Sequence, residues 1–182
     1  KQPTQDRARA TMDVILQAAA YILEYEGWTR FTTNRVAEKA GVNIASLYQY
    51  FPNKEALVEA LRRIHVEQSR QAVIAASADA TCPLSAMVRA VLAAHRVSPA
   101  LHRVFTEELP RQALSQGGEC LDDPELTDLI RPHFGNTPSP DLAMFVARTA
   151  MHAVIHEAVC HHPEYLSHPQ FESELVRLLR AY

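Results

Sequence analysis

Apolar residues recur every three to four positions along almost the whole chain, which is the spacing of amphipathic α-helices. No stretch alternates apolar and polar residues for long enough to predict a β-sheet. The pattern therefore predicts an all-α fold of about nine helices, in which each helix buries one face and leaves the other in water.

Four helices are predicted in the first third of the chain. The first runs from about Thr11 to Tyr25, and Gly27 is expected to end it in a left-handed conformation. Two short helices follow, from about Thr33 to Ala40 with Thr32 as N-cap and, after a turn at Gly41, from about Ile44 to Tyr50. A long helix then begins at Lys54, after Pro52 and Asn53. Four helices so closely spaced predict a small N-terminal domain.

Proline and short polar residues divide the rest of the chain. Helices are predicted at about Pro83 to Val97, Ala100 to Leu109 before Pro110, Pro124 to Phe134 after Asp123, Pro140 to Cys160 after Ser139, and from about Phe171 to Tyr182, with a loop at 112–122. We therefore expect a boundary at 1–54 and 55–182 between the N-terminal domain and a larger helical domain.

The helix that begins at Pro140 is apolar almost all round. Between Leu142 and Cys160 it carries only two charges, Arg148 and Glu157, and such a helix must be covered on both sides. We expect one side to face the chain's own core and the other to meet a second copy, in a four-helix dimer interface completed by the last helix. The residues expected there are Phe145, Thr149, His152, His156, Phe171, Leu175 and Leu179; the alternative is a central helix buried in a monomer.

The charge is unevenly distributed along the chain. The net charge is −3, but residues 1–54 carry seven Lys and Arg against five acids and the remainder carries eleven against sixteen. A modest basic excess at one end fits a domain that contacts nucleic acid, joined to one that does not. The absence of a long apolar run or leader predicts a cytoplasmic chain with no membrane partner, and its three spaced cysteines predict reduced thiols.

The two short helices and the glycine turn between them have the arrangement of a helix-turn-helix motif. Small and apolar residues (Val36, Ala37, Ala40, Val42 and Leu47) would lock the two helices together. The second helix would then present its polar face to the DNA major groove, where an α-helix fits and base edges are distinguishable. Lys54 supports this reading, because a positive charge at a helix start opposes the helix dipole unless an anion such as a phosphate lies beside it.

A long ordered set of residues gives this segment a family likeness: Ile15, Leu16, Ala18, Ala19, Gly27, Thr32, Thr33, Val36, Ala37, Ala40, Gly41, Val42, Leu47, Tyr48, Tyr50, Phe51 and Lys54. On the basis of these residues, the segment from about residue 8 to residue 60 closely resembles the N-terminal DNA-binding segment of the TetR family of bacterial regulators. Ala45 departs from the commonest pattern, in which glycine is frequent there, and Ile44 could offer a base only apolar contact.

The resemblance implies a function and a set of DNA contacts. It implies phosphate contacts by Thr33, Tyr48, Tyr50 and Lys54, and positions at or near base edges for Asn34, Asn43, Ile44, Ala45, Ser46 and Gln49. Tyr48 and Phe51 could alternatively be core residues, with only Tyr50 reaching outward. The protein implied is a homodimeric transcriptional repressor, without enzymatic activity or cofactor, that a small-molecule effector releases from a palindromic operator as the long helix from Lys54 moves.

A ligand pocket is expected where polar groups interrupt an apolar helix face. The candidate residues are Met87, Val91, His95, His102, Phe105 and Glu108. His152 and His156, spaced i, i+4 and followed by Cys160, leave open a regulator or activator that responds to metal or to oxidants, and more distantly a helical metalloenzyme. Cysteine stands where a zinc protease motif needs its second histidine, which disfavours the enzyme.

Overall fold

The computed structural model describes residues 2–78, 81–97, 99–108 and 124–181, and this part of the chain contains ten α-helices and no strand. The helices are α1 (Gln2–Tyr25), α2 (Thr33–Ala40), α3 (Ile44–Tyr50), α4 (Lys54–Ala78), α5 (Pro83–Val97), α6 (Pro99–Arg103), α7 (Pro124–Ile130), α8 (Pro140–His161), α9 (Pro163–Leu166) and α10 (Phe171–Arg180). A π-helical turn, Val104–Glu108, continues α6, and 3₁₀ turns lie at Trp28–Arg30 and Arg131–Phe134. The predicted all-α fold is confirmed.

Most predicted helix boundaries in the N-terminal third are confirmed. The bounds of α2 and α3 and the start of α4 agree with the expectation, and Thr32 caps α2 because its side chain accepts a hydrogen bond from the Arg35 amide at 3.1 Å. Gly27 and Gly41 both have positive φ, of 79° and 67°, which residues with a side chain rarely adopt. Gly41 is in the left-handed helical conformation, whereas Gly27, with ψ of 172°, is not, so the left-handed cap expected at Gly27 is corrected. The two glycines therefore set the turns on either side of α2.

The first helix begins at Gln2 rather than at Thr11. Residues 5–10 are almost all exposed, so no apolar face predicted them. They include Arg7, Ala8, Arg9 and Ala10, which have high helix propensity, and the Thr11 hydroxyl donates to the Arg7 carbonyl at 2.9 Å. Intrinsic propensity, not burial, thus extends this helix.

The later helices differ from the prediction in three places. The helix expected from Pro124 to Phe134 ends at Ile130, and a 3₁₀ turn, Arg131–Phe134, follows it. The helix expected to run to Leu109 is α6 only as far as Arg103, after which the backbone widens into the π-helical turn. The short helix α9 was not predicted at all. Pro110, the loop at 112–122 and the Asp123 cap lie outside the described residues. None of the helices in the described ranges is both long enough and apolar enough to cross a membrane.

Two hydrophobic cores hold the molecule together. The first, called here the head core, joins α1, α2, α3 and the start of α4, and the second, the body core, joins α5, α7, α8 and α10 with the later part of α4. Val104 and Phe105 follow α6 in the chain but are buried in the head core. Among the described residues, the long helix α4 and the segment around α6 therefore both connect the head to the body.

Candidate functional site

The helix α3 presents a polar face to solvent and an apolar residue to the core. Leu47 is fully buried in the head core, whereas Asn43, Ala45, Tyr48 and Gln49 are exposed. The other residues expected to approach DNA are Asn34, which is exposed, and Thr33, Ile44, Ser46, Tyr50 and Lys54, which are half-buried. All ten therefore lie in or beside the two helices of the motif, with some accessible surface.

Asn43 has a structural role that the sequence did not reveal. Its side-chain oxygen accepts a hydrogen bond from the Ala45 amide at 2.8 Å and so caps α3. Capping uses the oxygen and leaves the amide nitrogen of the side chain with its two hydrogens. Asn43 can thus fix the start of the recognition helix and still donate to an acceptor on DNA.

Three of the four residues expected to hold phosphates, Thr33, Tyr48 and Lys54, lie around one open groove, whereas Tyr50 is not among its lining residues. The Thr33 and Tyr48 hydroxyls are 3.1 Å apart and hydrogen-bonded, which joins α2 to α3. The Lys54 ammonium lies over the Trp28 ring, 4.1 Å from its centroid, and Asn53 caps α4 by accepting from the Ala56 amide. The groove is lined by Trp28, Thr29, Phe31, Thr32, Thr33, Tyr48, Pro52, Asn53, Lys54 and Glu55. Hydroxyls, a cation and a helix start around one groove are the groups that bind a phosphate.

The exposure of the aromatic residues at the end of α3 differs from the alternative in which Tyr48 and Phe51 are core residues and only Tyr50 reaches outward. Tyr48 is 48% exposed, Phe51 is buried in the head core, and Tyr50 is half-buried against that core. Tyr48, not Tyr50, is therefore the aromatic that extends furthest toward solvent. The ring of Trp28 beneath Lys54 was missed by sequence reasoning, because no short motif links the two residues.

An ion-pair network fixes α2 against α1. The Arg35 guanidinium donates to both carboxylate oxygens of Glu26, at 2.9 and 3.0 Å, and also to Glu38. The hydrogen bond from Arg35 holds the pKa of Glu26 below its usual range. This two-pronged contact orients the first helix of the motif relative to the rest of the head.

A small, mainly apolar cavity lies in the described part of the body core. It is lined by Leu84, Met87, Leu126, Ile130, Phe134, Ala147, Arg148, Met151 and Leu179. Its free space is about 20 Å³, close to the volume that one water molecule needs. Of the residues expected in a ligand pocket, Met87 lines this cavity and Val91 is buried in the same core.

The remaining residues of the expected pocket lie elsewhere. Phe105 belongs to the head core, so it does not share a cavity wall with Met87. His95 and His102 are stacked, with ring centroids 4.0 Å apart, in a cluster that also contains His156. The Glu108 side chain lies outside the described residues. The prediction of a single ligand pocket is thus corrected, because its residues belong to two separate features of the structure.

The residues expected at a dimer interface do not all lie on one exposed surface. On α8, Phe145 is 54% exposed and Thr149 is exposed, while His152 and His156 are half-buried. On α10, Phe171 packs against the body core and Leu175 and Leu179 are buried in it. The prediction that Leu175 and Leu179 lie at the dimer interface is therefore corrected, because residues covered by their own chain offer no surface to a second copy. Leu142 and Leu178, 59% and 44% exposed, do offer one.

The cysteine and histidine chemistry differs from what the spacing suggested. Within the described residues no group of three His, Cys, Asp or Glu side chains is arranged to hold a metal. Burial and Glu107 raise the pKa of Cys160, which reduces its thiolate fraction. Hydrogen bonds from Ser85, together with one from Arg180, instead lower the pKa of Cys82 to about 7. Only the folding of α10 onto α5 brings Arg180 to Cys82, so the sequence held no signal for it.

A helix-turn-helix with an exposed second helix and a groove lined by hydroxyls and a lysine, carried on a separate helical body, defines a DNA-binding regulator of the helix-turn-helix class. Residues 15–61 match the family of bacterial regulatory proteins called tetR, and residues 83–182 match the tetracyclin repressor-like C-terminal domain. The chain therefore belongs to the TetR family of DNA-binding transcription regulators, as its N-terminal residues indicated.

Individual relatives agree with this family. The chain is 44% identical over 57 residues to the uncharacterized HTH-type transcriptional regulator YvkB of Bacillus subtilis, covering 31% of this chain and 30% of YvkB. It is 35% identical over 98 residues to the nucleoid occlusion factor SlmA of Aliivibrio fischeri, covering 52% and 50%. The chain thus spans half or less of the length of these two relatives.

A solved structure shows the same fold over nearly the whole chain. The regulator FadR of Bacillus subtilis in complex with stearoyl-CoA superposes with a TM-score of 0.69 at 17% identity, covering 92% of this chain and 97% of FadR. At this identity the likeness concerns the fold alone.

Proposed function

We propose that this protein is a homodimeric transcriptional repressor that binds a palindromic operator through α3 and is released by a small apolar effector. The observation that carries the proposal is the arrangement of Thr33, Tyr48 and Lys54 around one groove beside the exposed face of α3. Phosphate contacts of this kind set the register of a recognition helix, and the side chains on its exposed face then read the bases.

Selection from a randomised DNA duplex library, at fixed moderate salt, tests this function. The expected result is a palindrome whose half-sites lie about one helical turn, about 34–36 Å, apart or a multiple of it. Retention of no sequence above bulk DNA, in the absence of effector, would contradict the proposal. The selected duplex then serves as the probe for the variants below.

Lys54→Ala should weaken operator binding about tenfold for each subunit that contacts DNA. The variant removes a cation from the phosphate groove, so the slope of log affinity against log salt should also decrease by about one per subunit. Fluorescence anisotropy with the selected duplex at several salt concentrations measures both quantities. Lys39→Ala is the matched control, because Lys39 lies over the Tyr21 ring of α1 outside the groove. Equal losses of operator affinity in the two variants would contradict the assignment of Lys54 to the phosphate site.

The dimer is proposed to form through the outward faces of α8 and α10. Leu142, Phe145 and Thr149 lie at spacings of three and four residues on one exposed stripe of α8, and Leu178 is exposed on α10. Large apolar side chains grouped in this way mark an interaction surface. The expected interface therefore retains Phe145 and Thr149 from the sequence and uses Leu178 in place of Leu175 and Leu179.

Phe145→Asp should convert the dimer into monomers at micromolar concentration. A carboxylate placed on each side of a two-fold apolar interface would be buried without a partner. Sedimentation velocity reports the oligomeric state directly. Tyr25→Asp is the control, because Tyr25 is 68% exposed at the end of α1 in the head. A variant that remains dimeric would place the interface elsewhere.

The effector site is proposed to be the apolar cavity of the body core. Eight of its lining residues are apolar, and Arg148 adds a charged side chain at its wall. Entry of a ligand larger than one water requires the cavity walls to separate, and the movement we propose is that of α7 away from α5 and α8, because all three helices supply walls. The stearoyl-CoA complex of FadR has the same fold, which supports an effector with an apolar portion. Because α4 packs on both α5 and α7, such a movement would reach the head.

A further inference from the structure

Five histidines form one continuous group of rings where the head meets the body. This histidine cluster consists of His65 on α4, His95 on α5, His102 on α6, and His152 and His156 on α8. The ring centroids are 4.0 Å apart for His95 and His102, 4.3 Å for His65 and His102, 5.3 Å for His95 and His156, and 3.9 Å for His152 and His156. Rings from four helices thus pack directly on one another.

Hydrogen bonds determine which ring nitrogens are free to take a proton. His95 Nδ1 must donate to the Val91 carbonyl, 2.8 Å away, because a carbonyl only accepts. The Thr106 hydroxyl donates to the His102 carbonyl, so His156 Nδ1 must donate to the Thr106 oxygen at 2.9 Å. In both neutral rings Nε2 is therefore the nitrogen that carries the lone pair.

His102 has the most isolated of these nitrogens. Its side chain is only 5% exposed, and its Nε2 has no hydrogen-bond partner. A backbone hydrogen bond with Ala94 engages the same ring. A buried polar atom without a partner costs free energy, and it becomes far more costly once the ring is charged.

Several charged groups lie on the described elements that carry the histidine cluster. On α5, the Arg96 side chain donates to the Leu166 carbonyl at 2.6 Å. Arg103 on α6, Glu107 in the π-helical turn and Glu157 on α8 act on Cys160. On α4, Arg62 pairs with Glu59, and α6 meets the head through apolar residues of its core. The neighbouring charges that lower the pKa values of His95, His102 and His156 come from other histidines.

The helix α6 is placed to transmit a change in this cluster. Its residue His102 lies among the rings, while Leu101 packs against the head core and Val104 and Phe105 are buried in it. We propose that the histidine cluster is a proton-operated latch: when its rings take up protons, α6 separates from α4 and α8 and the head loosens from the body. Its effect on operator binding rests on the function proposed above.

Electrostatics explains why protons would select the open state. In the closed state, burial and neighbouring histidines lower the pKa of His95 to about 4, of His156 to about 3 and of His102 to about 2. In an open state the rings would be hydrated, with the ordinary histidine pKa of about 6.5. At pH 5.5 each ring that is released would therefore favour the open state by about tenfold.

Hydrogen–deuterium exchange of the free full-length chain tests the latch without DNA. Protection factors for residues 99–108, corrected for the intrinsic effect of pH, should fall about tenfold or more between pH 7.5 and 5.5, while those of α2 and α3 stay within about twofold. His102→Phe keeps a ring of similar size and removes the titratable nitrogens. It should remove at least half of the logarithmic change in protection. His161→Phe, at an exposed position near the end of α8, should respond like the wild type.

Each outcome of the exchange experiment decides the question. Protection of residues 99–108 that does not change with pH would overturn the latch, and so would an equal fall in His102→Phe. A response that disappears in EDTA would also overturn it, because a metal ion rather than protons would then be responsible. If His102→Phe does not fold, the wild-type profile still decides. A chain that selects no operator at any pH refutes the proposed function, while the exchange result still decides whether the latch exists.

Discussion

Leu47→Ala should lower the free energy of unfolding of the head by about 2–5 kcal/mol and abolish sequence-specific DNA binding. Leu47 is the buried residue of α3 and is fully enclosed in the head core. Its removal leaves a cavity under the recognition helix, and the seven residues of α3 are too few to form a stable helix without tertiary contacts. The residues proposed to contact phosphate are all still present in this variant, but their common orientation is lost.

Urea unfolding followed by the fluorescence of Trp28 measures this loss. Trp28 is the single tryptophan of the chain and packs against Phe31 in the head, so its signal reports on the affected domain. Val14→Ala is the control: Val14 is 44% exposed on α1, and the change should cost under about 1 kcal/mol. A loss below about 1 kcal/mol for Leu47→Ala would mean that α3 is not anchored as described.

Acidification should destabilise the folded chain well above the pH at which carboxylates titrate. The folded-state pKa values of His95, His102 and His156 lie below the ordinary value, so the unfolded chain binds more protons as the pH falls through about 6.5. Stability is therefore greatest above pH 6.5 and decreases until the pH reaches the folded-state pKa of about 4 for His95. From pH 7 to 5 the expected loss is about 3–6 kcal/mol for the three rings together.

Urea denaturation followed by circular dichroism, at half-unit intervals from pH 7.5 to 4.5, measures the dependence. His102→Phe should reduce the loss between pH 7 and 5 by about 1–2 kcal/mol, because one ring no longer takes up a proton on unfolding. A flat profile down to pH 5 would show that the rings are hydrated in the folded protein. This measurement reports global unfolding, whereas the exchange experiment reports local opening at α6.

The head was largely predictable because its signals are local. Helix periodicity, the Thr32 cap and the glycine turn at Gly41 act within a few residues of one another, and the bounds of α2 and α3 followed from them. The exposed face of α3 followed as well, since burying Leu47 leaves the opposite side of so short a helix in solvent. Asn43 was placed on that face but not recognised as its cap.

The body was predictable as helices but not as a set of surfaces. The last helix was recognised by its apolar stripe, yet a stripe cannot say whether it meets its own core or a second copy. Leu175 and Leu179 face the body core, while Leu178 faces outward. The difference depends on how α10 docks on α5 and α8, which is a long-range contact.

The all-helical class and the helix-turn-helix followed from the amino-acid sequence alone, because both depend on short-range spacing and turn chemistry, and the family followed from the resemblance of the N-terminal residues. Long-range packing instead accounts for the contacts of His95 and His102 with His65 and His156 rather than with Met87, for the burial of Phe105 in the head core, and for the approach of Arg180 to Cys82. These pairings join residues from about seven to nearly one hundred positions apart in the chain. Nothing in the periodicity of one helix specifies which neighbour its face will meet, since that choice is made by the packing of all the helices together.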